Sequence, residues 1–292
     1  ISYRLVGSEM CIRDRADTRR AGEAAGLTVE RIINEPTAAA LAHAQGQELQ
    51  RRVMVYDLGG GTFDVSIVSQ DGPLLEVLAS HGDSRLGGDD IDEALTAHVL
   101  ARLADEQPTV HAAIEGSAAA RVRLQAAVEE AKIALSSDRS AVLRAPFLAD
   151  GPDGPVHVEL KLTREELTGI AEPLLMRTLD SVEETLTAAK LTGADIDELL
   201  LVGGATQMPM VFTLLHEHFG LEGSHAIPPR RAVALGAAIQ GAIVDGSRVH
   251  GVLVDVAPYS LSVGVADGSP LVPRFFCPVS YTHLRAHETV RN

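Results

Sequence analysis

The sequence predicts an α/β or mixed fold with helices around sheets, and three observations carry that expectation. Apolar, β-branched runs alternate with helical stretches between residues 53 and 244. Glycine clusters fall at the ends of those runs, in "DLGGGT" (57–62), "LGGDD" (86–90) and "LVGGAT" (201–206). Hydrophobic residues make up 46% of 292, enough to bury a large core in more than one subdomain.

Taken in order, "VMVY" (53–56) and "FDVSIV" (63–68) read as two strands, the second alternating around Asp64 and Ser66. They make a hairpin whose tip is bare backbone. "PLLEVLASHGD" (73–83) reads as a third strand, and residues 86–106 as a helix entered through Gly87 and Gly88. One long helical stretch is expected over 110–137. "AVLRAPFLAD" and "VHVELKL" pair around the Gly-Pro turn at 151–155. The stretch 163–191 opens with a capping box, Thr163 with Glu166, and Pro173 is expected to kink or split that helix. "DELLLVGGATQMP" (197–209) is again strand, glycines and turn, and "RAVALGAAIQGAIV" (231–244) is a small-residue helix suited to close packing.

Charge and composition exclude several function classes. The net charge is −15 with no basic tract, which argues against nucleic acid or an anionic membrane as partner. No apolar run is long enough to span a bilayer. Trp is absent and aromatics are 3%, so base-stacking platforms are not in evidence. Residues 1–15 and 277–292 show neither periodicity and hold both cysteines, Cys11 and Cys277. They resemble translated sequencing-adaptor DNA and are set aside as non-native or disordered tails, which removes any disulfide argument.

The hairpin tip carries the chemistry. Three glycines leave backbone N–H groups exposed and allow φ > 0, and successive N–H groups form an anion nest. Thr62 adds a hydroxyl. Asp57 and Asp64 would repel a bare phosphate, so their presence suits a divalent cation with its waters, Mg²⁺ being the candidate. A glycine-rich turn with solvated acids accounts for the same residues. A second glycine pair, Gly203 and Gly204, ends a strand, where ligands of such sheets bind. Glu129, Lys132 and Ser136 share one helical face and either flank a nucleoside or form a solvated ion pair beside a hydroxyl. His216 and His218, at i,i+2, point apart and do not suit a shared metal.

"RIINEPTAAALAHA", "VYDLGGGTFDVSIV", "GDSRLGGDDID", "VEEAKIALSS", "LVGGATQMP" and "VLVDVAPYSL" stand in the order and spacing of the seventy-kilodalton heat-shock chaperones of the DnaK type, a resemblance covering 16–268. The resemblance implies an actin-like ATPase (ribonuclease H-like) fold that closes on ATP between two lobes and is joined to a peptide-binding domain. It assigns 16–50 to a remnant of lobe I, 51–248 to lobe II, and 249–276 to an interdomain linker and the first peptide-domain strand. Lobe II would be mostly complete and lobe I largely missing, so the chain alone is not expected to turn over ATP.

Carried over by the resemblance, Glu35 organises the water shell of Mg²⁺, and Asp57 holds the metal through water. Gly59, Gly60 and Gly61 meet the β- and γ-phosphates, Thr62 contacts the γ-phosphate, and Asp64 positions the attacking water or orders the metal shell. Gly87, Gly88, Glu129, Lys132 and Ser136 receive adenosine, while Gly203 and Gly204 meet its ribose and α-phosphate side. These roles fit a reaction that needs positioning and charge neutralisation more than a strong base. Unfolded client peptides, a J-domain co-chaperone, a nucleotide exchange factor and a cytoplasmic location are implied on the same footing.

The chain departs from the family pattern at Ala205 and Gln207, where a serine and an adenine-covering arginine are usual, and at Arg230, where an acid is usual. Adenine binding is therefore expected to be weakened or rearranged. A sugar or acid kinase shares the fold but needs a substrate base, for which no motif is found. A non-catalytic pseudo-ATPase scaffold is favoured only by the departures at Gln207 and Arg230.

Overall fold

The computed structural model describes residues 4–6, 9–47, 49–151, 154–247, 252–254, 261–265 and 274–279, with side chains over 15–47, 49–151 and 154–247. The chain opens with β1 (Arg4–Val6), α1 (Glu9–Ala24) and α2 (Glu35–Ala44). Three consecutive strands follow, β2 (Gln50–Leu58), β3 (Phe63–Asp71) and β4 (Leu74–Asp83). Helices α3 (Gly88–Glu106), α4 (Pro108–Glu115) and α5 (Ala118–Ser137) lead into the hairpin of β5 (Ser140–Gly151) and β6 (Gly154–Thr163). Then come α6 (Arg164–Ala189), β7 (Glu198–Val202), α7 (Pro209–Phe219), β8 (Gly223–Ser224) and α8 (Ala232–Val244). The last described elements are β9 (Val252–Val254), β10 (Leu261–Val265) and β11 (Arg274–Val279).

A mixed six-stranded sheet, order β8-β7-β2-β3-β4-β9, organises the fold. The meander β2-β3-β4 is antiparallel, whereas β7 joins β2, β8 joins β7 and β9 joins β4 in parallel. Residues 53–58 of β2 are all buried, because both faces of the sheet are covered. Alternation sends Val53 and Val55 to one face, with Ala39, Ala40 and Leu41 of α2 and Ala232 of α8. Met54, Tyr56 and Leu58 go to the other, with residues of α3, α5, α6 and α7. The small residues of α8 have their reason here. A Cβ on Gly236 would fall well inside contact of the Ala38 carbonyl, so α2 and α8 meet at backbone distance.

Two expectations are revised. The stretch 110–137 is two helices, because Ser117 turns its hydroxyl to the Ala120 N–H at 3.3 Å and caps α5 after Gly116. Of the two outcomes expected at Pro173 the split does not occur, since α6 runs continuously through it. The carbonyl that loses its helical donor to Pro173 belongs to Gly169, which is exposed and open to water. The expected capping box is present: Glu166 accepts from the Thr163 N–H at 2.7 Å, and the Thr163 hydroxyl accepts from the Glu166 N–H at 3.2 Å.

Helix α1 and strands β1 and β11 run through the segments set aside in the sequence, β10 lies within the 249–276 stretch, and the three strands form a small antiparallel sheet. The remainder of the expected linker and of both tails lies outside the described residues. No helix among the described residues is long and apolar enough to cross a membrane.

Candidate functional site

The turn between β2 and β3 closes with the Gly59 N–H donating to the Thr62 carbonyl at 3.0 Å. Its outward carbonyls are taken by the start of α3: Gly88 N–H donates to Gly59 at 2.9 Å and Asp89 N–H to Gly60 at 2.8 Å. Two of the donors that a helix leaves unpaired at its N-terminus are thereby satisfied. A third, the Gly87 N–H, donates to the Asp90 carboxylate at 2.7 Å. The approach requires a glycine, since a Cβ on Gly87 would overlap the Gly60 carbonyl. Among the described residues no protein acceptor meets the N–H groups of Gly60, Gly61 or Thr62. None of Gly59, Gly60 and Gly61 takes a positive φ. The glycine that takes a positive φ here is Gly203, at φ 86° and ψ 150°.

A cavity of about 260 Å³ opens beside this turn. It gathers Gly59 and Gly60 from the turn, Gly88 from α3, Glu129, Lys132 and Ser136 from α5, and Gly204 from the turn after β7. The departures Ala205, Gln207 and Arg230 line it too. Gly61, Thr62, Gly87 and Gly203 do not line it but build its frame.

Glu35, Asp57 and Asp64 form a separate group outside the cavity wall. Asp57 and Asp64 are cross-strand partners, and Glu35 opens the first turn of α2. Burial pushes the Asp57 carboxyl up to about 7, reinforced by the charges of Glu35 and then Asp64. Asp64 is raised for the same first reason, with Glu35 second. Room for both acids comes from glycines. A Cβ on Gly82 would lie 2.5 Å from Asp64 Oδ1, and one on Gly203 would lie 2.9 Å from Asp57 Oδ1. Among the described residues no group of three or more His, Cys, Asp or Glu side chains is arranged to hold a metal ion.

Five site residues escaped the sequence reading: Asp89, Asp92, Ile133 and Met208, which line the cavity, and Gly82. Acids such as those of "GGDDID" are favourable at any helix start and so carry no site signal by themselves. The signal was spacing, since Asp92 lies one turn after Gly88, on the same side of α3. Gly82 carried the general signal of a glycine inside a strand, a close approach by another group.

Turn, helix start, α5 face and β7 turn thus converge from four places in the chain. Residues 13–272 match a family model described as Hsp70 protein. Two curated relatives, each named chaperone protein DnaK and from two strains of Halobacterium salinarum, are 45% identical over 257 residues, covering 88% of this chain. The chain spans 40% of the length of these relatives. With the fold an α/β lobe of the expected actin-like kind and the match running through every element of the cavity, the chain belongs to the Hsp70 family.

Proposed function

We propose that this chain is the nucleotide-binding part of a DnaK-type chaperone ATPase, with ATP or ADP lying between the glycine turn and α5. The observation that carries the reading is the convergence of Gly59, Gly60, Gly88, Lys132 and Gly204 on one cavity. The N–H groups of Gly60, Gly61 and Thr62, unmatched by protein acceptors among the described residues, suit phosphate oxygens. Glu129, Lys132 and Ser136 supply charged and hydroxyl groups for the sugar and base, and Gly203 and Gly204 leave room at the α-phosphate.

The acid group fits Mg²⁺ held through water. Buried carboxylates pushed toward protonation are relieved by a nearby cation, and no direct ligand set exists among the described residues. Asp57, Asp64 and Glu35 would face its water shell, and the bound ion would neutralise phosphate charge. Asp64 is placed in the proposal as the group that orients the attacking water, and Thr62 as the γ-phosphate contact. Hydrolysis, unfolded client peptides, a J-domain co-chaperone, a nucleotide exchange factor and a cytoplasmic location are proposed for the whole chaperone.

Calorimetric titration of the chain with Mg-ADP tests this, with Gly60→Val as the comparison. A Cβ on Gly60 lies 3.3 Å from the Asp89 carboxylate, so valine crowds the cavity mouth. The expected result is saturable binding by the parent and a loss of at least about tenfold in the variant, with unchanged circular dichroism. Absence of ADP binding by the parent, or equal affinity in Gly60→Val, contradicts the reading.

A further inference from the structure

Asp92 is 4% exposed and lines the cavity, yet its two oxygens have different surroundings. Oδ2 accepts from Lys132 Nζ at 2.6 Å, whereas Oδ1 is buried without a hydrogen-bond partner among the described residues. Lys132 Nζ also donates to the Gly88 carbonyl at 3.0 Å. An ammonium has three protons, so one remains for the cavity that Lys132 lines.

A buried ion pair adds little net stability over an apolar pair of similar volume, and an unpaired buried oxygen makes the balance worse. Its presence calls for a role. Without Asp92, the acids left on the cavity wall for Lys132 are Glu129, three residues earlier on the same face of α5, and Asp89. Lys132 would then leave the Gly88 carbonyl. The same residue Gly88 donates its N–H to Gly59, so the Asp92–Lys132 pair ties α5 to the glycine turn through a single residue.

We propose that Asp92 is a positioning residue: it holds Lys132 on the Gly88 carbonyl so that the third ammonium proton meets the hydroxyl groups of the nucleotide sugar. This rests on the nucleotide reading above. Asp92 acts through Lys132 and does not itself touch the ligand.

The test compares affinities of the chain for Mg-ADP, its 2′,3′-dideoxy analogue and inorganic tripolyphosphate. One charge-assisted hydrogen bond gives the parent a preference of about tenfold for ADP over the dideoxy form. Asp92→Asn brings that ratio near one and leaves tripolyphosphate binding unchanged, Asp92→Glu restores part of the preference, and Asp92→Asn has no added effect in a Lys132→Met background. Should Asp92→Asn not fold, the apolar pair Asp92→Leu with Lys132→Met is expected to lose the preference and keep tripolyphosphate binding. A parent-like ratio in Asp92→Asn or in the apolar pair, independent effects of the two residues, or equal loss of all three ligands overturns the proposal. A parent that binds ADP without preferring it overturns the positioning role and leaves the nucleotide reading standing, whereas a parent that binds no ADP removes both.

Discussion

Asp57 and Asp64 stand opposite each other across the β2–β3 hairpin, and each has a glycine where a side chain would collide with its carboxylate, Gly203 beside Asp57 and Gly82 beside Asp64. Like charges directly opposed across a ladder are destabilising, and burial adds to the cost. The fold therefore spends stability to keep two acids under the glycine turn.

That cost predicts the sign of a pH dependence. The Asp57 carboxyl titrates near 3.8 when unfolded and about 7 when folded. Between those values the folded chain binds more protons, so the stability present below 3.8 is lost as pH rises through 7. Asp57→Asn is expected to exceed the parent in stability by on the order of 1–4 kcal/mol near pH 8, and to match it near pH 4. Urea unfolding at both pH values checks this, and a variant less stable than the parent near pH 8 contradicts it.

The two flanking glycines predict an asymmetric cost. Gly203→Ala meets both an overlap with the Leu58 carbonyl and a left-handed backbone, at φ 86°. Gly82→Ala meets only overlap, with the Phe63 carbonyl and Asp64. Both should destabilise by about 1–3 kcal/mol or more, Gly203→Ala by the larger amount. Chemical unfolding of the two variants side by side gives the order directly.

Helix α8 carries its own control. Gly236→Ala forces α2 and α8 apart at the Ala38 carbonyl and should cost about 1–3 kcal/mol. Gly241→Ala, on the same helix with none of the described residues within 4 Å, should gain about 0.5–1 kcal/mol from helix propensity. Equal thermal midpoints for the two would mean that the close helix contact is not what Gly236 provides.

Thr62→Ala removes one hydroxyl beside the turn and leaves its closing bond, which uses the Thr62 carbonyl. ADP affinity should be unchanged, and ATP affinity should fall by about three- to tenfold. An equal fall for both nucleotides, measured by calorimetry, would place Thr62 away from the γ-phosphate.

The sheet and most helices were legible because apolar alternation in β2 and β3, the Thr163–Glu166 capping box and the small residues of α8 are local signals. The break after Gly116 was not, since residues 110–137 keep helical composition through a break that only Gly116 and Ser117 announce. At the site, glycines flagged positions but not their physics. Gly59, Gly60 and Gly61 take no positive φ, and a Cβ on any of them would meet no described atom nearer than 3.3 Å, while the left-handed residue is Gly203 and the close approach is made by Gly87. The Asp92–Lys132 pair joins residues forty apart on two helices, a contact that spacing along either helix does not reveal. Glu35 meets the hairpin acids only through the packing of α2 on the sheet.

The central claim is that the backbone of the glycine turn receives phosphate, and amide NMR of the chain during titration with Mg-ADP tests it most directly. The account predicts that the Gly60, Gly61 and Thr62 amides show the largest downfield shifts, because their N–H groups pass from water to a phosphate anion. If ADP binds while those three amides stay in place and the largest shifts lie outside the cavity, the nucleotide is elsewhere and the account of this turn is wrong.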